Sequence, residues 1–312
     1  MNVILLFPGQ GSQKQGMGKD LAAAFPAARE AFQRIDDALG FGLSSLCFDG
    51  PNDELTLTKN AQPALYAHGA ATWAVAREIL ANRVVAAAGH SLGELTAYHA
   101  AASLTLESGA RLVRHRGEIM FDIGSERPGT MAAVLGTLST SIDSVCEQAS
   151  REAGLVVPAN YNTDEQVVVS GEIAGVERAM ELAKAAGAKR AIRLTVSGAF
   201  HSPLMKPAEI AFSGAVTETV FADPEFPVYS NVTAGPCTRG SDARALLLKQ
   251  LTSPVRWSDE VRAMAAAYPD ALYVELGSGN VLSGLVSRIV PGARSVAVGA
   301  PADLDKLAGA LG

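Results

Sequence analysis

The chain of 312 residues is poor in cysteine: Cys47, Cys146 and Cys237 are its only three, and they lie far apart. Their odd number and wide separation fit neither a disulfide framework nor a metal spacing such as C-x2-C. Inert thiols in a reducing compartment, and no metal, are therefore expected. Positive charge is not in excess either: 26 Lys and Arg stand against 32 Asp and Glu, for a net charge of −6. That balance gives no general attraction for nucleic acid or an anionic membrane, so any anionic partner must meet a local basic patch. No apolar run approaches the ~20 residues of a membrane helix. The run Val3–Phe7 is closed by Pro8-Gly9-Gln10-Gly11 and is too short for a signal peptide. The protein is expected to be soluble and cytoplasmic. Nucleotide fingerprints are missing too. In the glycine-rich stretch 9–18, G-x-G-x-x-G would need glycine where Lys14 stands, and a P-loop fails because Met17 follows Gly16.

The remaining composition is that of an ordinary globular protein, 48% apolar and 19% charged, and the length fits one large domain plus a smaller one. Val3–Phe7 and Val84–Ala88 read as buried parallel strands. Helices are predicted over Lys19–Leu39 (stopped by Gly40), Ala61–Leu80, Leu92–Ala102 and Thr105–Phe121. Strands alternating with helices imply a mostly parallel sheet covered on both faces. The middle of the chain differs. Strand 131–135, helix 141–152, strands 155–160 and 166–170, helix 173–186 and strand 190–196 follow the order β-α-β-β-α-β of a ferredoxin-like unit. Strands at Phe226–Ser230 and Leu272–Leu276 then return the chain to α/β character. Gly277-Ser-Gly-Asn280 opens a helix from Val281.

The chemistry centres on Gly89-His90-Ser91-Leu92-Gly93, a G-x-S-x-G pentapeptide between a strand and a helix. A serine hydroxyl is a weak nucleophile, and a sharp strand-to-helix turn relieved by glycines exposes it. The helix start brings backbone N–H groups near the serine, that of Leu92 above all, to stabilise an oxyanion. A second such donor is expected from the loop after the first strand, at Gln10. The predicted fold is therefore α/β: a large α/β-hydrolase-like domain with a parallel sheet (1–125 and 197–312) and an inserted small ferredoxin-like subdomain (126–196). Of the five histidines, His68, His99 and His115 fall inside predicted helices, as surface or packing residues. His90 adjoins Ser91 and points to the opposite face. His201, on the loop Ser197–Pro203, is the expected base. No acidic third member stands out, which leaves a backbone carbonyl as one possible orienter. Arg116 reads either as a solvated surface charge or, if the acyl group carries a free carboxylate, as its bidentate donor.

Four stretches occur in a familiar order: Phe7-Pro-Gly-Gln-Gly-Ser-Gln13, Gly89-His-Ser-Leu-Gly-Glu94, Ala199-Phe-His-Ser-Pro203 and Gln250-Leu-Thr-Ser-Pro-Val-Arg-Trp257. Over essentially its whole length the sequence resembles the malonyl-CoA:acyl carrier protein transacylases of fatty acid synthesis. The resemblance implies that Ser91 carries a malonyl ester and that His201 moves its proton. It implies that the Gln250 backbone carbonyl orients His201, that the N–H groups of Gln10 and Leu92 form the oxyanion hole, and that Arg116 holds the malonyl carboxylate. Asn160 matches a position facing the site from the small domain, and the bulk of Phe200 would crowd a methyl-branched acyl group. No cofactor is implied beyond malonyl-CoA and the phosphopantetheine of the acceptor, the chain is expected to be a monomer, and the partner is an acidic acyl carrier protein. The cluster Lys184, Lys189, Arg190 and Arg193, leading toward His201, is either solubilising charge or the docking face for that partner. A polyketide malonyl loader, a malonate decarboxylase transacylase subunit and, more distantly, a serine thioesterase or hydrolase share these motifs. Gly277-Ser-Gly-Asn280 replaces a commoner Gly-Pro-Gly-Lys form, away from the inferred chemistry.

Overall fold

The computed structural model describes residues 1–196 and 198–312, and of Ala81 the backbone alone. The expected return to the large domain at residue 197 therefore falls on Ser197, outside the described residues. A six-stranded sheet runs in the order Arg294–Val298, Leu272–Leu276, Val3–Phe7, Val84–Gly89, Val228–Tyr229, Pro236–Cys237, parallel except for its last pair. The unbroken apolar run Val3–Phe7 follows from this central position. Val3, Leu5 and Phe7 enter one core with Leu95 and Val274, while Ile4 and Leu6 enter another with Trp257 and Leu285. Both faces are covered, so neither set of alternate side chains meets water.

The second sheet is antiparallel, with Thr130–Leu135 between Gln166–Gly171 and Arg190–Arg193, and Val156–Thr163 at the far edge. Helices Ile142–Glu152 and Ile173–Ala185 close over it around Val134, Val145, Val169 and Val176. This is the anticipated ferredoxin-like arrangement. The small sheet is tied to the segment before helix Trp257–Ala267 where the Tyr161 N–H donates to the Val255 carbonyl (2.9 Å) and the Val255 N–H to that of Ala159 (2.8 Å). That contact fixes the small unit over the carboxyl ends of the parallel strands, where ligands bind in such sheets.

Several elements depart from expectation. The helix predicted over 19–39 is two helices, Lys19–Ala24 and Pro26–Leu39. Phe25 is extended (φ −123°, ψ 120°) because the residue before a proline is pushed out of the helical region. The strand expected to run to Val196 ends at Arg193, and residues 194–196 peel away to line the site. The strand expected over 226–230 is only Val228–Tyr229. Helices Lys206–Glu218, Gly240–Gln250 and Trp257–Ala267 were not anticipated.

Candidate active site

Strand Val84–Gly89 runs into a turn at Ser91 and then into helix Gly93–Ala100. Ser91 takes a left-handed backbone, φ 53°, which non-glycine residues avoid at a cost of about 1–2 kcal/mol. Glycine is obligatory on either side of it for reasons of space. A Cβ on Gly89 would lie 1.9 Å from the Gly93 carbonyl carbon, and one on Gly93 would lie 2.1 Å from the Phe7 carbonyl oxygen. The chain can turn this tightly only without those side chains, and the turn lifts the Ser91 hydroxyl into a cavity of about 310 Å3.

His201 arrives from the loop before helix Lys206–Glu218, buried and also left-handed at φ 57°. Its Nε2 lies 2.8 Å from Ser91 Oγ. Its Nδ1 faces two carbonyl oxygens, those of Gln250 at 2.9 Å and Ser253 at 3.2 Å. Carbonyls only accept, so the neutral ring carries its proton on Nδ1 and presents Nε2 to the hydroxyl as an acceptor. Burial, reinforced by the Arg116 charge, lowers the His201 pKa to about 3, and the imidazole is free to take a proton at neutral pH.

Arg116 lies inside helix Leu106–Glu126 and is 1% exposed, so the surface-charge reading of this residue is overturned. Its Nη1 donates to Gln62 Oε1 (2.6 Å), and its Nη2 to Gln250 Oε1 (2.8 Å) and Ser91 Oγ (3.1 Å). All three acceptors are neutral, and Nε has no partner. Burial lowers its pKa to about 10, partly offset by Glu94, which leaves a full positive charge beside the hydroxyl. Its direct hydrogen-bond partners are thus all neutral, and a buried charge is held well only when a counter-charge meets it.

Gln10, Leu92, Asn160 and Phe200 line the same cavity. Neither the Gln10 nor the Leu92 N–H donates to a backbone acceptor among the described residues, while the Gln10 side chain is tied to Thr58 Oγ1 at 3.1 Å. Phe200 is buried with Met120 and Met131 as the apolar part of the wall. The Ser91 hydroxyl, the neutral His201 ring, the Arg116 cation and the residues Gln10 and Leu92 thus share one cavity, and these are the kinds of group that attack on an acyl carbonyl requires.

Residues 4–294 match the model of the acyl transferase domain family. The chain belongs to that family. The malonyl CoA-acyl carrier protein transacylase of Bacillus subtilis (strain 168) is 42% identical over 305 residues, 97% of this chain and 95% of the relative. The solved acyl-carrier-protein-S-malonyltransferase of Bartonella henselae is 40% identical with a TM-score of 0.94, covering 100% of this chain and 99% of that one. A malonyl-transacylase solved in complex with a type II polyketide synthase acyl-carrier protein is 38% identical at a TM-score of 0.94, covering 99% of this chain and 100% of its own.

The other histidines of this acyl transferase stand outside the reaction geometry. His90, expected on the opposite face, lines the Ser91 cavity as well, but its Nε2 is bonded to Asn162 Oδ1 (2.9 Å); His68 bonds the Gly299 carbonyl (2.9 Å). His99 bonds the Leu104 carbonyl (3.2 Å), and His115 lies against Phe212. Gly277-Ser-Gly-Asn280 lines a separate cavity with Lys14 and His68. Of the basic cluster, Arg193 reaches a cavity that shares Gln10, Thr56 and residues 194–196 with the Ser91 cavity. Lys184, Lys189 and Arg190 are exposed but line neither, so the cluster does not run to His201 as a continuous path.

Sequence reasoning missed the floor of the acyl transferase site. Gln62, Glu94, Asn231, the Gln250 side chain and Glu260 are all buried and hydrogen-bonded beneath Ser91 and Arg116. Glu94 left a signal, as a charged residue in the otherwise apolar first turn after Gly93. Asn231 left none, because its partners are 137 and 140 residues away in the chain.

Proposed function

We propose that this acyl transferase moves the malonyl group of malonyl-CoA to the phosphopantetheine thiol of an acyl carrier protein, supplying fatty acid elongation. The observation that carries the proposal is Ser91 Oγ, held between His201 Nε2 at 2.8 Å and Arg116 Nη2 at 3.1 Å. A base beside the hydroxyl suits acyl transfer in general, and an unpaired buried cation beside it suits an acyl group that ends in a carboxylate. The relatives named above carry the names of malonyl transacylases, and one was solved with an acyl-carrier protein.

In the first half-reaction, Ser91 Oγ attacks the thioester carbonyl and His201 Nε2 takes its proton. The oxyanion accepts from the N–H groups of Gln10 and Leu92. Collapse expels the CoA sulfur, which recovers the proton from His201, and the malonyl ester remains on Ser91. In the second half-reaction, the carrier thiol gives its proton to His201 and attacks the ester, and Ser91 recovers the proton as it leaves. The Gln250 carbonyl holds the imidazole throughout, in the place an aspartate takes in other triads. Arg116 clamps the distal carboxylate in both halves, Asn160 faces the acyl group from the small sheet, and Phe200 leaves no room for a methyl branch.

Every group this scheme needs comes from the chain and its two substrates, so it requires no cofactor. Residues 1–125 and 197–312 form the catalytic domain, with 126–196 as the inserted subdomain. The exposed Lys184, Lys189, Arg190 and Arg193 form the docking face for the acidic carrier. No helix among the described residues is long and apolar enough to cross a membrane. The working form is a cytoplasmic monomer. Mass spectrometry after mixing with malonyl-CoA tests the scheme. One malonyl adduct is expected on Ser91, absent in Ser91→Ala; an adduct elsewhere, or none, overturns it. Slow hydrolysis with fast thiol-dependent turnover is expected of a transferase, and the reverse of a hydrolase.

A further inference from the structure

The left-handed turn at Ser91 needs something to hold it, and the structure assigns that task to the side chain of Asn231. Its carboxamide bridges the two ends of the turn. Oδ1 accepts from the Ser91 N–H at 2.8 Å, and Nδ2 donates to the Gly89 carbonyl at 2.8 Å. Two further contacts fix which end of the amide is which. Gln250 Nε2 donates to Oδ1 (3.1 Å), and Nδ2 donates to Glu260 Oε1 (2.9 Å). Rotating the amide by half a turn would set donor against donor at Ser91 and acceptor against acceptor at Gly89, so only one orientation satisfies all four partners. The backbone is tied down as well: the Asn231 N–H donates to Glu94 Oε2 (3.1 Å), and its carbonyl accepts from the Arg256 N–H (3.0 Å). The residue is fully buried.

Asn231 touches no reacting atom, so it is a positioning residue. Because its Oδ1 occupies the Ser91 N–H, that group is withdrawn from the oxyanion hole, and the hole is left to Leu92 and Gln10. Glu94 is shared between Asn231 and Gln250 Nε2 (2.6 Å), and Gln250 in turn bonds the Ser91 carbonyl (3.0 Å) and Arg116. One network thus sets the nucleophile, through Asn231, and the cation, through Gln250. This inference rests on the reading of Ser91 as the nucleophile.

The test begins on the unaltered protein. Amide hydrogen exchange followed by NMR should be slow at Ser91, and fast exchange there overturns the inference. Two variants follow. Asn231→Ala removes the bridge, while Asn231→Asp keeps the size but turns the Nδ2 donor into an oxygen facing the acceptors of Gly89 and Glu260. In whichever variant folds, kcat for malonyl transfer should fall about tenfold or more, the cost of one buried hydrogen bond left unmade, with KM for malonyl-CoA within about twofold. Labelling of Ser91 by a small fluorophosphonate, which makes no use of Arg116, should slow in parallel. An unchanged kcat, an unchanged labelling rate, or a rise confined to KM would overturn it. If unaltered protein forms no malonyl adduct on Ser91, the reading of the nucleophile fails instead, and the two failures are distinct.

Discussion

The His201 Nδ1–H donates to the backbone carbonyl of Gln250 across 2.9 Å, while Nε2 of the same ring meets the Ser91 hydroxyl at 2.8 Å. A main-chain carbonyl orients the ring without adding a negative charge, so the Gln250 and Ser253 bonds raise the His201 pKa only in part against burial and the Arg116 charge, which hold it at about 3. His201→Ala should slow adduct formation on Ser91 by about 10^2–10^4-fold. Because the imidazole stays neutral down to that pKa, the ratio of wild-type to variant rates should be the same at pH 5 as at pH 8. Stopped-quench measurement of the adduct at several pH values checks this. A ratio that shrinks below pH 6.5 would mean that His201 titrates in its ordinary range.

Arg116 is the residue whose removal should change what the enzyme selects. Its contacts with Gln62, Gln250 and Ser91 are all neutral, so on the proposed scheme the charge is available to a distal carboxylate. A hydrogen bond to a charged group contributes about 1.5–3 kcal/mol, or roughly tenfold to a hundredfold in rate. Arg116→Ala should lower kcat/KM for malonyl-CoA by at least that range and leave acetyl-CoA much less affected. Competition between the two thioesters measures the ratio directly, and equal losses for both would remove Arg116 from acyl recognition.

The parts of this enzyme legible in the sequence are those with local causes. Val3–Phe7 announced a strand covered on both faces because every residue in it is apolar. The elbow at Ser91 was legible because two glycines must flank it, and the small unit because its strands and helices alternate in period. Gln250 was reached by resemblance alone, since a backbone carbonyl has no sequence signature. The floor beneath Ser91 was not legible: Gln62, Asn231 and Glu260 are ordinary polar residues until folding buries them together. The break at Phe25 could have been read from Pro26, and helical spacing on both sides hid it.

Lys189 and Arg190 lie on the exposed edge of the small sheet, apart from both cavities near Ser91. On the proposed docking face, charge there would act on encounter with an acidic carrier and not on the acyl pocket. The double change Lys189→Glu and Arg190→Glu should raise KM for carrier protein several-fold and leave malonyl-CoA hydrolysis as it was. The wild-type KM should itself rise with salt as screening shortens the reach of these charges. Transfer assays over a range of ionic strength check both, and a variant with wild-type carrier kinetics would take these two residues out of the docking face.

Glu94 is wholly buried beneath the nucleophile turn, and desolvation raises its pKa from 4.5 to about 7 against the lowering effect of Asn231, Gln250 and Arg116. Between those two pH values the folded protein keeps a proton that the unfolded chain has released. Stability from this group is therefore lost as pH rises from 4.5 through 7, and the loss is complete above that. A shift of that size corresponds to on the order of 3 kcal/mol. Glu94→Gln preserves an acceptor for the Gln250 and Asn231 N–H groups and has no proton to lose. The variant should match wild type in denaturant unfolding at pH 4.5. It should then gain on wild type as pH rises and hold a constant advantage above about pH 7.5. Comparison of the two proteins cancels groups that titrate alike in both, including His201 and His68. A gap that does not change between pH 5 and pH 8 would show that Glu94 is already ionised across the range, with its charge fully met by the network around Asn231 and Gln250.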